Sequence, residues 1–205
     1  MWYIIGFIVL ILLFVVIWGL YAYVNRSQTP SKNMLVNRDK LRSTFKQLYP
    51  LLSNGLQVWP TYGTLLGFHR EQDFICYDDD IDLGANIEDF TAIKHNVFKL
   101  DKHRYKKMIL DAFGYKFISI DDLETGVHVD VNFYKPKNSH QVCCANLQPN
   151  KTHEIGHIYP VSKGFYIGEM QIWMPNDADQ LLRCWYGNNY TTPDRICDNN
   201  CVCED

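Results

Sequence analysis

The sequence predicts an α+β fold: a mixed sheet flanked by helices, preceded by one N-terminal transmembrane helix. Three observations carry this. Tyr3 to Val24 holds no charged residue. Met34 to Leu52 repeats apolar residues at helical spacing, and Val127 to Tyr134 alternates apolar and polar residues at strand spacing. The chain has 205 residues, enough to bury a core as one domain, and its net charge of −3 gives no electrostatic footprint for nucleic acid.

Tyr3–Val24 has the length of a bilayer-crossing helix, about 20 residues. Trp2, Tyr3, Trp18, Tyr21 and Tyr23 place aromatic rings toward its two ends, as interfacial belts do. A cleaved signal peptide fits less well: the basic leading region is absent, the apolar run is too long, and no small-residue cleavage site follows. The predicted organisation is an anchor over 1–25, a linker and packing helix over 26–55, a catalytic domain over 56–195 and a Cys-rich tail over 196–205. Arg26, Lys32, Arg38, Lys40 and Arg42 follow the apolar run, so the positive-inside rule places the domain in the cytosol.

In the packing helix, Leu35, Leu41, Phe45, Leu48 and Leu52 form one face. Val58 to Tyr62 reads as a first strand leading into a Gly63-Thr64 turn. Ile87 to Leu100 reads as a helix. Tyr105–Leu110 and Tyr115–Ile120 read as strands joined by a turn at Asp111–Gly114.

The chemistry concentrates between Tyr62 and Gly84. Asp78, Asp79, Asp80 and Asp82 place four carboxylates within five positions. Like charges so close require a cation or an open, solvated surface. Asp80-Ile81-Asp82-Leu83 reads as a strand, with both acids on one face and both aliphatics on the other. Such a pair seats a hard divalent ion, Mg²⁺ or Mn²⁺. Gly63 and Thr64 lie upstream in a turn suited to phosphate, and Arg70 supplies a guanidinium fork for phosphate oxygens. On the later strand, His128, Asp130, Asn132 and Tyr134 share the polar face. Taken alone, Asp130 reads as a solvent-facing acid on an edge strand.

The run Gly63-Thr-Leu-Leu-Gly67, Arg70, and Ile75 through Asp82 resembles the signature of the LicD/fukutin family, a branch of the nucleotidyltransferase fold. Cys76 stands where that signature usually has Pro, and Tyr77 where it has Trp. The resemblance extends over roughly Leu56 to Pro193, with Gly168, Pro175-Asn176 and Tyr186-Gly187 in the family's order. It implies a nucleotidyltransferase-like sheet and makes Asp130 the third carboxylate, from a neighbouring strand. It implies catalytic roles for Asp80, Asp82 and Asp130, with Asp78, Asp80, Asp82 and Asp130 as metal ligands. Gly63, Thr64 and Arg70 would bind substrate. The implied partners are a CDP-alcohol donor (phosphocholine or ribitol-phosphate type) and a glycan acceptor, with the membrane reached through the N-terminal helix. Eukaryotic relatives face the Golgi lumen, so a single-pass, lumen-facing protein is the localisation retained, with a cytosolic domain as the alternative. A catalytically inactive nucleotide- or glycan-binding membrane protein of the same fold is the other reading.

His153-Glu154-Ile155-Gly156-His157 satisfies the two-histidine zinc-hydrolase pattern. Gly156, Pro149 and Pro160 oppose the helix that this pattern needs, so a surface loop or strand is expected there. Seven cysteines are present, three of them in the tail at Cys197, Cys201 and Cys203. Their spacing fits disulfides in an oxidising compartment or free thiols in a reducing one. Asn150-Lys-Thr and Asn189-Tyr-Thr match the glycosylation sequon.

Overall fold

The computed structural model describes residues 34–145, 152–193, 196–197 and 203–204. Helix α1, Met34–Leu52, buries Leu41, Phe45, Leu48, Tyr49 and Leu52 along one side. Pro50 lacks the N–H that would continue the helical ladder, and the helix ends two residues later. Strand β1, Val58–Pro60, leads into helix α2, Tyr62–Glu71, and then strand β2, Asp80–Asn86. A single 3₁₀ turn and helix α3, Phe90–Phe98, follow. Strands β3, Tyr105–Ala112, and β4, Tyr115–Asp122, form a hairpin, and β5 runs from His128 to Pro136. Beyond it come β6, Gln141–Cys144, β7, Thr152–Glu154, and the one-turn helix α4, Ile155–Ile158. Strands β8, Ser162–Ile167, and β9, Met170–Met174, pair with each other, and helix α5 spans Ala178–Tyr186. Near the chain end β10, Ile196–Cys197, pairs with β11, Cys203–Glu204.

The main sheet has the order β1-β2-β5-β4-β3, with β6 and β7 continuing from β5. Strands β2 and β5 are parallel; the other pairs among the described strands are antiparallel. Parallel neighbours need a crossover, here supplied by α3 and the β3–β4 hairpin. Alternation gives each face its own core. On one side Ile81, Leu83, Ala85, Val129, Val131 and Phe133 pack against α1 and α3. On the other, Trp59 and Tyr134 pack with Leu65, Leu66, Ile158, Leu181 and Leu182. Tyr49 ties the layers together: its hydroxyl donates to the Val58 carbonyl and accepts from the Trp173 N–H, each at 2.8 Å. Opposite Trp59 the register places Gly84, where a Cβ would approach Trp59 Nε1 to 2.5 Å.

Two sequence expectations are corrected at this level. No helix among the described residues is long and apolar enough to cross a membrane. The predicted transmembrane helix, and the single-pass, lumen-facing localisation built on it, are therefore not carried further. The longest described helix, α1, is amphipathic and carries Arg38, Asp39, Lys40, Arg42 and Lys46. Tyr3–Val24, the linker and Asn150 lie outside the described residues. The second correction concerns Gly63-Thr64, which form the first turn of α2 rather than an open turn. Each glycine in a helix costs about 1 kcal/mol relative to Ala. Leu65, Leu66 and Phe68 are buried, each gaining roughly 2 kcal/mol, so burial wins.

Candidate functional site

Register builds the site. Asp80 on β2 pairs with His128 on β5, which pairs with Asp121 on β4. One pleat along, Asp82 pairs with Asp130, which pairs with Ser119. Residues two apart share a face, so two ranks of polar side chains lie on the sheet face that carries the Trp59–Tyr134 core. Asp82 and Asp130 are neighbours across parallel strands, about 4.8 Å apart along the hydrogen-bonding direction.

Just before β2, ligand oxygens of Asp78, Asp79 and Asp80 all lie within 4.8 Å of one another. Asp82 and Asp130 are outside that tight group, so the four acids predicted to hold a metal form two adjoining sets, with Asp79 added to the first. The sets are electrostatically linked. Burial, then the charges of Asp80, Asp130 and Asp78, push Asp82 up to about 8. Burial and then Asp80 push Asp78 up to about 7. Burial and Asp79 raise Asp80, and burial raises Asp130 against the opposing pull of His128.

His128 is the one cation-forming side chain set among these acids in the two ranks. Its Nδ1 lies 2.6 Å from Asp121 Oδ1, and its Nε2 lies 3.1 Å from Ser119 Oγ. Burial lowers its pKa, but the Asp121 hydrogen bond and the Asp130 charge outweigh burial, and the net shift is upward. Asp130 Oδ1 sits 2.9 Å from His128 Nε2 without hydrogen-bond alignment, so that buried oxygen has no hydrogen bond. Asp78 Oδ2 is likewise buried without a partner. Carboxylate-only donors, two orphaned oxygens and mutually raised pKa values suit a hard divalent cation, which would satisfy all three.

Helix α2 brings its N-terminus to the acids. The Thr61 side chain makes no cap there, leaving the first-turn N–H groups available to an anion. A Cβ on Gly63 would meet Asp78 Oδ2 at 2.6 Å. Gly63→Ala is expected to displace that flexible carboxylate rather than unfold the chain. The check is a metal or nucleotide titration showing at least tenfold weaker binding with an unchanged melting midpoint.

Thr64, predicted as a substrate contact, is placed at the junction of α2 and β2. It is buried, and its hydroxyl accepts the Asp82 N–H at 2.9 Å, fixing α2 to β2. Arg70 lies at the far end of α2, where Nη2 donates to Glu71 Oε1 at 2.8 Å and reaches the Tyr77 hydroxyl at 3.4 Å. Asp78, Gly63, Arg70 and Tyr77 line a cleft of about 350 Å³, closed opposite by Tyr186, Asn189, Tyr190 and Thr192.

The zinc-hydrolase pattern does not form a helix. His153 is on β7 and His157 is on α4. His153 is also buried rather than on the surface, with its Nε2 accepting from Trp185 Nε1 at 3.2 Å.

Sequence reasoning missed His128, Asp121 and the wall formed by 186–192. Alternation did place His128 beside Asp130. The partnership with Asp121 depends on β4–β5 register, which no local pattern encodes.

Paired acids on adjacent strands, with a helix N-terminus aimed at them across a mixed sheet, define a nucleotidyltransferase-type domain. The chain belongs to the family described as LicD/FKTN/FKRP, nucleotidyltransferase domain, whose model matches residues 55–177, more than half of the sequence. It is 27% identical over 164 residues to an uncharacterized protein of Rickettsia typhi, covering 77% of this chain and 50% of that protein. It is 24% identical over 168 residues to the ribitol-5-phosphate transferase FKTN of Homo sapiens, covering 77% of this chain and 35% of that protein. The chain thus spans half of the first relative's length and about a third of the second's.

Proposed function

We propose that the chain is a divalent-metal-dependent phosphotransferase. It moves a phospho-alcohol from a CDP-linked donor to a hydroxyl of a glycan acceptor. Family membership and the likeness to a ribitol-5-phosphate transferase support the class of reaction. The observation that carries the reading is the register pairing of Asp82 with Asp130 beside Asp78 and Asp80.

Asp78, Asp80, Asp82 and Asp130 would hold Mg²⁺ or Mn²⁺. When bound, the ion neutralises the donor diphosphate and the charge gathering on the leaving group. The first-turn N–H groups at Gly63 orient the diphosphate, and Arg70 contributes positive charge at the far end of the same cleft. The acceptor oxygen bonds to the β-phosphorus as the bond from that phosphorus to the bridging oxygen breaks, and CMP leaves. The hydroxyl proton would pass to Asp130, through the carboxylate oxygen not engaged by the ion. His128, held by Asp121, sets a positive charge beside Asp130 when protonated.

The test is CMP release from a panel of CDP-alcohols. Turnover is expected with Mg²⁺ or Mn²⁺ and should vanish with EDTA. Release indifferent to EDTA, or none with any CDP-alcohol, would remove the reading.

A stability measurement checks the metal separately. Raised folded pKa values mean that Asp78 and Asp82 contribute fully to stability below the ordinary value of 3.8. That contribution is lost as pH rises to about 7 for Asp78 and about 8 for Asp82. The metal-free melting midpoint therefore falls across this window. Mg²⁺ binds the deprotonated acids, so its stabilising increment grows over the same window and is greatest above pH 8. An increment that shrinks with rising pH contradicts the assignment of these ligands.

A further inference from the structure

One residue beside the acids holds a backbone conformation that its own side chain opposes. Tyr62 has φ +44°, a left-handed geometry that crowds the Cβ of any residue but glycine. Among the described residues, Gln72 and Phe113 also have positive φ, but where such backbone is expected. Gln72 caps the end of α2, and Phe113 precedes Gly114 in the β3–β4 turn. Tyr62 instead opens a helix. Strain of this kind persists only where the surroundings over-determine it.

The surroundings of Tyr62 converge on Asp82. Strand β1 ends at Pro60 and α2 begins at Tyr62, so the chain turns from strand to helix within two residues. Leu83 is the last β2 residue in register with β1. On that side Asp82 has no strand partner, and the turn takes the strand's place. The Thr61 N–H donates to the Asp82 carbonyl at 3.0 Å, and the Thr64 hydroxyl accepts the Asp82 N–H at 2.9 Å. The left-handed residue lies between these two bonds and lets one short loop grip both.

The Tyr62 ring keeps the loop from relaxing. It meets the Trp185 ring of α5 at 4.5 Å. The Trp185 indole N–H donates to His153 Nε2 on β7 at 3.2 Å, and these rings meet edge to face at 5.5 Å. His153 is buried, and its ring lies 6.3 Å from that of Tyr134. Tyr134 is on β5, on the same face as Asp130. The contacts thus run from the loop that grips Asp82 to the strand that carries Asp130. Trp185 lies beyond the residues matched by the family model, 55–177.

We propose that Tyr62, Trp185 and His153 form a clamp that fixes Asp82 opposite Asp130, with Tyr62 as the positioning residue. The clamp rests on the metal-dependent reading and adds what holds two of its ligands in place. Repulsion among Asp78, Asp80, Asp82 and Asp130 acts to spread the acids when no ion neutralises them. A strand end without a partner yields to that force more readily than a paired one. The clamp opposes it from α5 and β7.

The experiment needs no substrate. Mn²⁺ binding to the full chain is measured by calorimetry, and exchange of the Asp82 amide is followed by NMR in EDTA, both well below each variant's melting midpoint. Tyr62→Gly accepts the backbone conformation but lacks the ring. It is expected to bind Mn²⁺ about tenfold more weakly, the lower range for loss of a group supporting a metal ligand, and to exchange the Asp82 amide faster. Trp185→Leu is expected to shift both quantities in the same direction. Tyr62→Phe keeps the ring and is expected to behave as wild type in both. If wild type binds Mn²⁺, an unchanged value of either quantity in Tyr62→Gly or Trp185→Leu overturns the clamp, as does Tyr62→Phe behaving like Tyr62→Gly. If wild type binds no Mn²⁺, the metal reading fails and exchange alone decides. Faster exchange in Tyr62→Gly then supports the clamp, and unchanged exchange overturns it.

Discussion

Asp82→Asn is expected to lower turnover by about 10³-fold, the range seen when a preorganised electrostatic group is removed at the reacting centre, while making the metal-free protein more stable. Both effects have one source. Asp82 is held among Asp80, Asp130 and Asp78, and burial with these charges pushes it up to about 8. A folded protein above that pH carries a carboxylate whose ionised form the site disfavours. Asparagine keeps the shape and removes the charge. The melting midpoint of the variant should therefore exceed that of wild type above pH 8 and match it below 3.8, where the acid is neutral in both folded and unfolded chains. Adding Mg²⁺ should reverse the order, because the wild type gains the ion and the variant gains less. A variant that loses activity and stability together at every pH would mark Asp82 as a structural residue.

Arg104→Met is expected to cost about 3–5 kcal/mol, since it leaves a buried carboxylate without its counter-charge. Asp122 is 0% exposed and accepts from Arg104 Nε at 3.1 Å and Nη2 at 2.9 Å. Thr44 from α1 and the Glu124 N–H complete its shell. Although burial opposes it, this set of donors holds Asp122 below the usual carboxylate range. Its stabilisation is thus present above 3.8 and is lost as pH falls through the lower folded value. In a domain of this size the midpoint should drop on the order of 10 °C. Asp122→Leu in the same chain should restore part of the loss, because the stranded charge is then gone. A drop within experimental scatter would show that solvent reaches Asp122 after the arginine is removed. The pair matters to the site because Asp122 fixes the end of β4, and the residue before it, Asp121, holds His128.

Local pattern made much of the fold legible. Leu41, Phe45, Leu48 and Leu52 mark α1, and Val127, Val129, Val131 and Phe133 mark the buried side of β5. The acids Asp80, Asp82 and Asp130 were placed on polar strand faces by alternation alone. Glycine misled at Gly63, which reads as a turn residue yet sits in the first turn of α2 against Asp78. Gly67 likewise serves close approach: a Cβ there would meet the Asp73 carbonyl oxygen at 2.6 Å, where α2 packs on the segment leading to the acids. The bond from the Asp82 N–H to Thr64 was not legible, because a hydroxyl next to a glycine suits phosphate as well as it suits that N–H. The strand register, the wall at 186–192 and the burial of His153 depend on contacts between residues distant in sequence. No window of neighbouring residues carries that information. The apolar segment near the start is a different case, because it lies outside the described residues.

The strand that completes the acidic face also closes the sheet, since β5 lies between β2 and β4. During synthesis β2 emerges first and must wait with an unpaired edge until about forty more residues have followed. The β3–β4 pairing is local in sequence and needs no part of β5. Only when β5 pairs with both β2 and β4 does Asp130 stand beside Asp82. Ribosome-bound chains ending before His128 would accordingly expose two open edges prone to association, and catalytic competence would arise together with protease resistance.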